Sequence, residues 1–197
     1  VGNPNSGKSS LFNILTGLRQ TVSNFPGVTV DKKLGYVNLS DGRQVKVVDL
    51  PGLYSMHPNS SDEKVVVNIL ANIDDQNYPD LVVYVADASN LERHLLLATQ
   101  IIDLQIPMIF ALNMIDIIEE RKQKLDIQSL EGYLDIPTVS ISSRGGIGIE
   151  VLKEKIEKFS PDNCSQYLRS NRIYENPASV KNAVEEIKQK TGNQNDY

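Results

Sequence analysis

Gly2-Asn3-Pro4-Asn5-Ser6-Gly7-Lys8-Ser9 has the spacing G-x-x-x-x-G-K-[ST]. In that pattern consecutive backbone N–H groups curl round a phosphate at the start of a helix. Glycine is required where the backbone must approach the anion closely. Lys8 would reach the β- and γ-phosphates of a nucleoside triphosphate, and the Ser9 hydroxyl would ligate the Mg²⁺ that bridges them. Ser10, next along, is counted among the nucleotide contacts. With Gly near ~7% of residues, a chance match in a chain of this length is well under ~1%, so an ordinary glycine turn is a poor explanation.

Three further segments fit the same chemistry. Asp49-Leu50-Pro51-Gly52 is the chain's one D-x-x-G; it ends an apolar run, which puts a carboxylate at the carboxyl edge of a sheet, where open α/β folds bind ligands. Asp49 would hold Mg²⁺ through water, and the Gly52 N–H would meet the γ-phosphate. In Asn113-Met114-Ile115-Asp116 the Asp116 carboxylate could accept two hydrogen bonds from guanine N1–H and the exocyclic amine. Adenine would leave it desolvated and unpaired, at a cost of ~1 to 3 kcal/mol. The spacing alone decides little, because Asn59 to Asp62, Asn72 to Asp75, Asn77 to Asp80 and Asn193 to Asp196 share it. Only Asn113 follows a buried strand in the right order. Ser142-Ser143-Arg144 follows the last expected strand, where loop N–H groups could contact the guanine carbonyl. Thr29, within Gly27-Val28-Thr29-Val30, lies in a loop that could bring its hydroxyl to Mg²⁺ when a γ-phosphate is present.

The elements that must position these groups follow from periodicity. Apolar, β-branched runs at Val45 to Leu50, Leu81 to Ala86, Met108 to Leu112 and Thr138 to Ile141 are short and bounded by turn signals, as buried strands are. Helical stripes lie over Ser9 to Thr16, Leu91 to Leu104 and Ile149 to Phe159. Alternation of the two predicts an α/β domain over residues 1–159, with a mostly parallel sheet and helices on both faces. One antiparallel edge strand is added by the hairpin Lys33 to Leu39 and Gln44 to Leu50, turned at Asp41-Gly42. A phosphate loop normally follows a strand and only Val1 precedes this one, so a few further residues are expected on its N-terminal side. Residues 160–197 read as a linker and part of a helical domain: Asn176-Pro177 starts a helix with Val180, Ala183, Val184 and Ile187 on one face and Gly192 past its end.

Composition narrows the classes. The 197 residues are 40% hydrophobic and 23% charged, which is globular. Twenty Lys and Arg against 25 Asp and Glu give a net charge of -5, no broad footprint for nucleic acid or anionic lipid. Any phosphate must be bound locally. The single cysteine, Cys164, excludes an internal disulfide and a thiolate cage and fits a reducing compartment. No run approaches the ~18 apolar residues that span a bilayer. His57 and His94 are isolated, so they offer no metal site, and Glu63, Glu92 and His57 read as solvated groups rather than catalytic bases.

In this order the segments resemble a translation-factor-type GTPase domain, and more particularly residues 1–159 resemble the N-terminal cytosolic G domain of the bacterial ferrous iron transporter family FeoB. The likeness rests on the phosphate loop, Gly27-Val28-Thr29-Val30, Asp49-Leu50-Pro51-Gly52 with Tyr54-Ser55, Asp87-Ala88-Ser89-Asn90-Leu91-Glu92-Arg93, and Ala111-Leu112-Asn113-Met114-Ile115-Asp116. Met114, where most such GTPases carry Lys, is the most telling. The resemblance implies a GTP/GDP switch using Mg²⁺, joined to a membrane permease of the same polypeptide at the cytoplasmic face of the bacterial inner membrane, with no nucleic-acid partner and assembly through the full-length transporter. Its catalytic set would be Lys8, Thr29, Gly52 and Asn5. Related potassium-activated GTPases have Asn at the place of Asn5, where it helps hold K⁺ beside the phosphates. Leu53 replaces the Gln that Ras-like enzymes use to orient water, and no arginine finger is evident, so turnover should be slow. The alternatives are a soluble ribosome- or RNA-associated GTPase, which would need a basic appendage that residues 160–197 do not supply, and a sensor that binds nucleotide without turnover.

Overall fold

The structure, a computed structural model, describes residues 1–18, 20–26 and 28–173. The phosphate loop leads directly into α1 (Lys8–Thr16), which is bracketed by Gly7 and Gly17, both left-handed. Three antiparallel strands follow: β1 (Gln20–Asn24), β2 (Asp31–Asn38) and β3 (Gln44–Asp49). The β2–β3 hairpin pairs Asn38 with Gln44 and turns through Gly42 at φ 86. Beyond α2 (Ser61–Ala71), strands β4 (Val82–Asp87), β5 (Met108–Asn113) and β6 (Thr138–Ser140) form a parallel sheet in that order. They are connected through α3 (Leu91–Ile102), α4 (Ile115–Glu120) and α5 (Ile127–Leu134), and α6 (Ile149–Lys158) follows the last strand.

Side chains alternate across β4 and β5 and so divide the core in two. Val82, Tyr84, Ala86, Met108, Phe110 and Leu112 face a cluster built with α2, α3, α4 and α5. Val85, Ile109 and Ala111 face a second cluster with α1 and α6. Each fully buried Leu, Ile or Phe in these layers contributes about 1.5 to 3 kcal/mol, which holds the carboxyl ends of β3, β4 and β5 at one edge.

The α/β expectation, with helices on both faces, is borne out. The antiparallel part is larger than the single hairpin expected, because β1 pairs with β2 from Gln20 opposite Gly35 to Asn24 opposite Asp31. Its sequence, Gln-Thr-Val-Ser-Asn, has one apolar residue and every position is exposed, so no period-2 signal announces it. Helix α2, which was not among the expected elements, is capped at its start: Glu63 N–H donates to the Ser60 hydroxyl, and the Glu63 carboxylate accepts from Asn59 N–H at 2.7 Å. Helices α4 and α5 are too short for a clear stripe.

Val1 behaves as a strand residue beside β4, donating to Val83 O at 3.0 Å and accepting from Val85 N–H at 2.8 Å. The two sheets share no strand pairing among the described residues. After α6 the chain packs back on the domain. The Tyr167 hydroxyl donates to Lys155 O and its ring meets Phe159 edge-on at 5.2 Å; Ile173 joins the core, with its N–H donating to Asp103 at 2.6 Å. The helix expected from Asn176-Pro177 lies outside the described residues.

Gly148 caps α6 at φ 71, and a Cβ there would sit 2.1 Å from the Ser140 carbonyl oxygen. Gly148→Ala should therefore lose at least about 2 kcal/mol of stability in urea unfolding, from left-handed strain plus the backbone clash; an unchanged midpoint would contradict the packing described.

Candidate functional site

The phosphate loop is shaped first by its own neighbours. Gly2 has φ 149, and a Cβ on it would fall 2.2 Å from the Val85 carbonyl; Gly7 has φ 91, and its Cβ would fall 2.2 Å from the Asn113 amide nitrogen. Strand β4 and Asn113 thus demand glycine independently of any anion. Asn3 is buried, Pro4 half-buried, and Asn5 sits exposed at φ 64. Ser6 is buried with a hydroxyl oxygen that has no partner. Lys8 donates to the Asn3 carbonyl at 2.7 Å. Burial pushes its pKa down, and the neighbouring Asp49 opposes that shift.

Asp49 ends β3 beside the loop and accepts from the Ser9 hydroxyl at 2.8 Å. The two oxygens expected to serve one cation are therefore brought together; Ser10, next on α1, is exposed. Leu50 is buried and Pro51 half-buried. A Cβ at Gly52 would lie 2.7 Å from Pro4 N and 3.0 Å from Lys8 Nζ. The following N–H, that of Leu53, donates to Gly2 O at 3.4 Å, and the Leu53 side chain is wholly buried. Val28 and Thr29 are exposed; Thr29 makes no hydrogen bond among the described residues and lines an open cavity with Phe25, Val28 and Ser61. Gly27 lies outside the described residues.

At the end of β5 the Asn113 side chain, 2% exposed, joins three segments. Its amide nitrogen donates to Ser6 O at 2.9 Å, and its oxygen accepts from Ser143 N–H at 2.9 Å and the Ser143 hydroxyl at 3.1 Å. Met114 then adopts φ 64 and starts α4, which carries Asp116. One Asp116 carboxylate oxygen is buried without a partner. Ser142 fixes the last loop by accepting from Gly145 N–H at 3.0 Å, and Arg144 is exposed. The phosphate loop, the Asp49 end and the Asn113–Asp116 segment thus share one edge with Ser142 and Ser143, while Thr29 and Arg144 stand outside these contacts. Among the described residues no three His, Cys, Asp or Glu cluster as a metal cage, and no helix is long and apolar enough to cross a membrane.

Sequence reasoning missed Tyr84. Its hydroxyl has two acceptors within reach, the His94 carbonyl at 2.6 Å and Asn3 Oδ1 at 2.9 Å, while the Asn3 amide donates to Arg93 O at 3.3 Å. A polar-tipped aromatic in the otherwise aliphatic run Leu81 to Ala86 was the available signal. His94 is buried, with Nδ1 unpartnered, and burial lowers its pKa from 6.5 to about 4, Asp87 opposing the shift. The folded pKa lies below the unfolded one, so the unfolded chain binds the proton first. Stability is complete above about pH 6.5 and is lost as pH falls toward 4. His94→Gln should lose less stability than the parent between about pH 7 and about pH 5 in denaturant titrations; equal losses would mean that His94 is not the group responsible.

The comparisons with known proteins can be set against this geometry. The family model described as ferrous iron transport protein B matches residues 1–156. The chain is 45% identical over 163 residues to the Fe(2+) transporter FeoB of Shigella flexneri, covering 81% of this chain and 20% of that protein. It is 45% identical over 167 residues to the one of Salmonella typhimurium, covering 83% and 21%. It therefore spans about one fifth of the length of the curated relatives it matches. Among solved structures, the cytosolic domain of L. pneumophila FeoB superposes with a TM-score of 0.78 at 39% identity, over 90% of this chain and 66% of that one. A GDP-bound S. thermophilus NFeoB mutant gives 0.71 at 42%, over 78% and 58%. The G domain of T. maritima FeoB gives 0.72 at 43%, over 80% and 93%. By model, identity and superposition alike, the chain belongs to the FeoB family and corresponds to its G domain.

Proposed function

We propose that this chain binds GTP and GDP and hydrolyses GTP slowly, as the nucleotide switch of a ferrous iron transport protein. The observation that carries the reading is the Asn113 junction, which sets a glycine-walled phosphate loop beside a buried, unpaired Asp116 oxygen. That oxygen suits the N–H donors of guanine, and leaving it unpaired against adenine costs ~1 to 3 kcal/mol. GDP is present in the S. thermophilus relative, and the same ligand is assigned here.

In this reading Gly2 to Ser10 cradle the phosphates, Asn3, Pro4 and Ser6 forming the curve and Lys8 leaving the Asn3 carbonyl for the β- and γ-phosphates. Leu50 and Pro51 carry Gly52 to the γ-phosphate. Met114 and the Ser142 to Arg144 loop flank the base. Ser9 and Asp49 fit Mg²⁺, being hard oxygens 2.8 Å apart on one edge. Held by Ser9 and Asp49, the ion would supply positive charge to offset the negative charge of the phosphates. Thr29 joins that set when its loop closes, and Gly27 and Val28 are counted with it among the nucleotide contacts. Slow turnover follows from Leu53, which is wholly buried and has no polar atom with which to orient water. Asn5, exposed at the loop apex, is assigned to K⁺. The G domain is assigned to the cytoplasmic face of the inner membrane, and the permease and Fe²⁺ uptake to the membrane part of the longer protein.

Single-turnover phosphate release tests the chemistry. The parent should turn over far below one per second, faster in KCl than NaCl; Asn5→Ala should abolish the difference between the salts, and Lys8→Ala should slow hydrolysis at least about 10²-fold. No phosphate release by the parent would leave a non-hydrolysing sensor instead. Iron uptake by cells carrying Lys8→Ala in the full-length protein should fall to the level of a deletion, and unaltered uptake would separate the G domain from transport.

A further inference from the structure

The segment Asp87-Ala88-Ser89-Asn90-Leu91-Glu92-Arg93 has no role in the site as described, yet it touches both loops that must frame a γ-phosphate. The Arg93 carbonyl accepts from the Asn3 amide at 3.3 Å, which anchors the entry of the phosphate loop. The Arg93 guanidinium lies 4.7 Å from the centre of the Tyr54 ring, two residues beyond Gly52. One residue thus grips the phosphate loop with its backbone and the Gly52 loop with its side chain.

The grip is extended along the helix. Gln100 accepts from Met56 N–H at 2.8 Å. Arg93 and Gln100 are seven residues apart, about two helical turns, and so share one face of α3. Leu53, wholly buried, anchors the same stretch of loop. The Gly52 loop is therefore fixed at three successive points: Leu53 in the core, Tyr54 under Arg93, and Met56 at Gln100. The Gly52 backbone in turn sits so close to Pro4 and Lys8 that no Cβ fits.

We propose that Arg93 is a positioning residue for GTP hydrolysis: its stacking on Tyr54 holds the Gly52 backbone over the phosphate loop and ties both to the first turn of α3. The inference rests on the GTPase reading above. The Tyr54 ring is part-exposed, at 43%, so the cation–π contact is of the modest, surface kind, and a rate effect of roughly threefold to fivefold is expected. GDP does not need the Gly52 contact, so its affinity should be unaffected.

Hydrolysis under single turnover, GDP affinity and melting temperature would be measured for Arg93→Ala, Arg93→Lys, Tyr54→Leu, Tyr54→Phe and the double variant Arg93→Ala/Tyr54→Leu. Arg93→Ala and Tyr54→Leu should each be roughly threefold to fivefold slower with GDP affinity within about twofold of the parent, and the double variant no slower than either. Tyr54→Phe and Arg93→Lys, which keep the aromatic face and the positive charge, should recover most of the rate. Losses that multiply in the double variant, a parent-like rate in folded Arg93→Ala, or a fall in GDP affinity matching the fall in rate would each overturn the proposal. Tyr54→Leu alters a part-exposed side chain and carries the test if Arg93→Ala fails to fold. A parent that releases no phosphate would defeat the GTPase reading itself, a result distinct from any of these.

Discussion

The Asn113 carboxamide is the contact on which the site depends. It uses one donor on the Ser6 carbonyl and its acceptor on two donors of Ser143, and almost none of it reaches water. Each of these partners would otherwise be a polar group buried without a mate, at about 1 to 3 kcal/mol apiece. The residue closes a junction between loops more than a hundred and thirty residues of chain apart in sum, which no local propensity could bring together. The same junction explains why Gly7 must be glycine: its Cβ would displace the Asn113 amide.

From that junction the remaining parts fall into two groups with different rigidity. The phosphate loop, Asn113 and the Ser142–Ser143 loop are tied by buried hydrogen bonds, the β3 end by an exposed one to Ser9, and packing leaves no room for a methyl group at Gly2, Gly7 or Gly52. The Thr29 loop is anchored at its base, where Phe25 and Val30 are buried and Phe25 N–H donates to Val30 O at 2.9 Å, but Val28 and Thr29 at its tip are exposed. Between these extremes lies the Gly52 loop, held on one side by Leu53 and on the other by two contacts to α3. A nucleotide that adds or loses a γ-phosphate would act on the loosely held elements, because displacing the tightly tied ones would break the fold.

How much of this was legible depended on where the physical signal lay. The phosphate loop, Asp49 and Asn113 could be read because phosphate and guanine chemistry restricts residue type at fixed spacing, and the buried strands because they are short apolar runs between turn residues. Strand β1 was invisible since its residues are all exposed and an edge strand of Gln, Thr, Ser and Asn has no alternation to detect. Glu63 read as a solvated surface group, whereas its carboxylate accepts from the Asn59 N–H and its own N–H donates to Ser60, at the start of α2. Tyr84 offered only a polar tip in an aliphatic run, and the contacts of Arg93 and Gln100 left no signal, for a different reason. Their importance arises from contacts across the sheet and helix, set by tertiary packing rather than by spacing along the chain.

The central claim is that one sheet edge recognises a guanine nucleotide, and the most direct measurement is calorimetric titration of the chain with GDP and with ADP in Mg²⁺ buffer. The account predicts GDP binding about 5- to 150-fold tighter than ADP, the equivalent of ~1 to 3 kcal/mol, since only guanine supplies donors for the buried Asp116 oxygen. Equal affinities, or no binding of either, would contradict it.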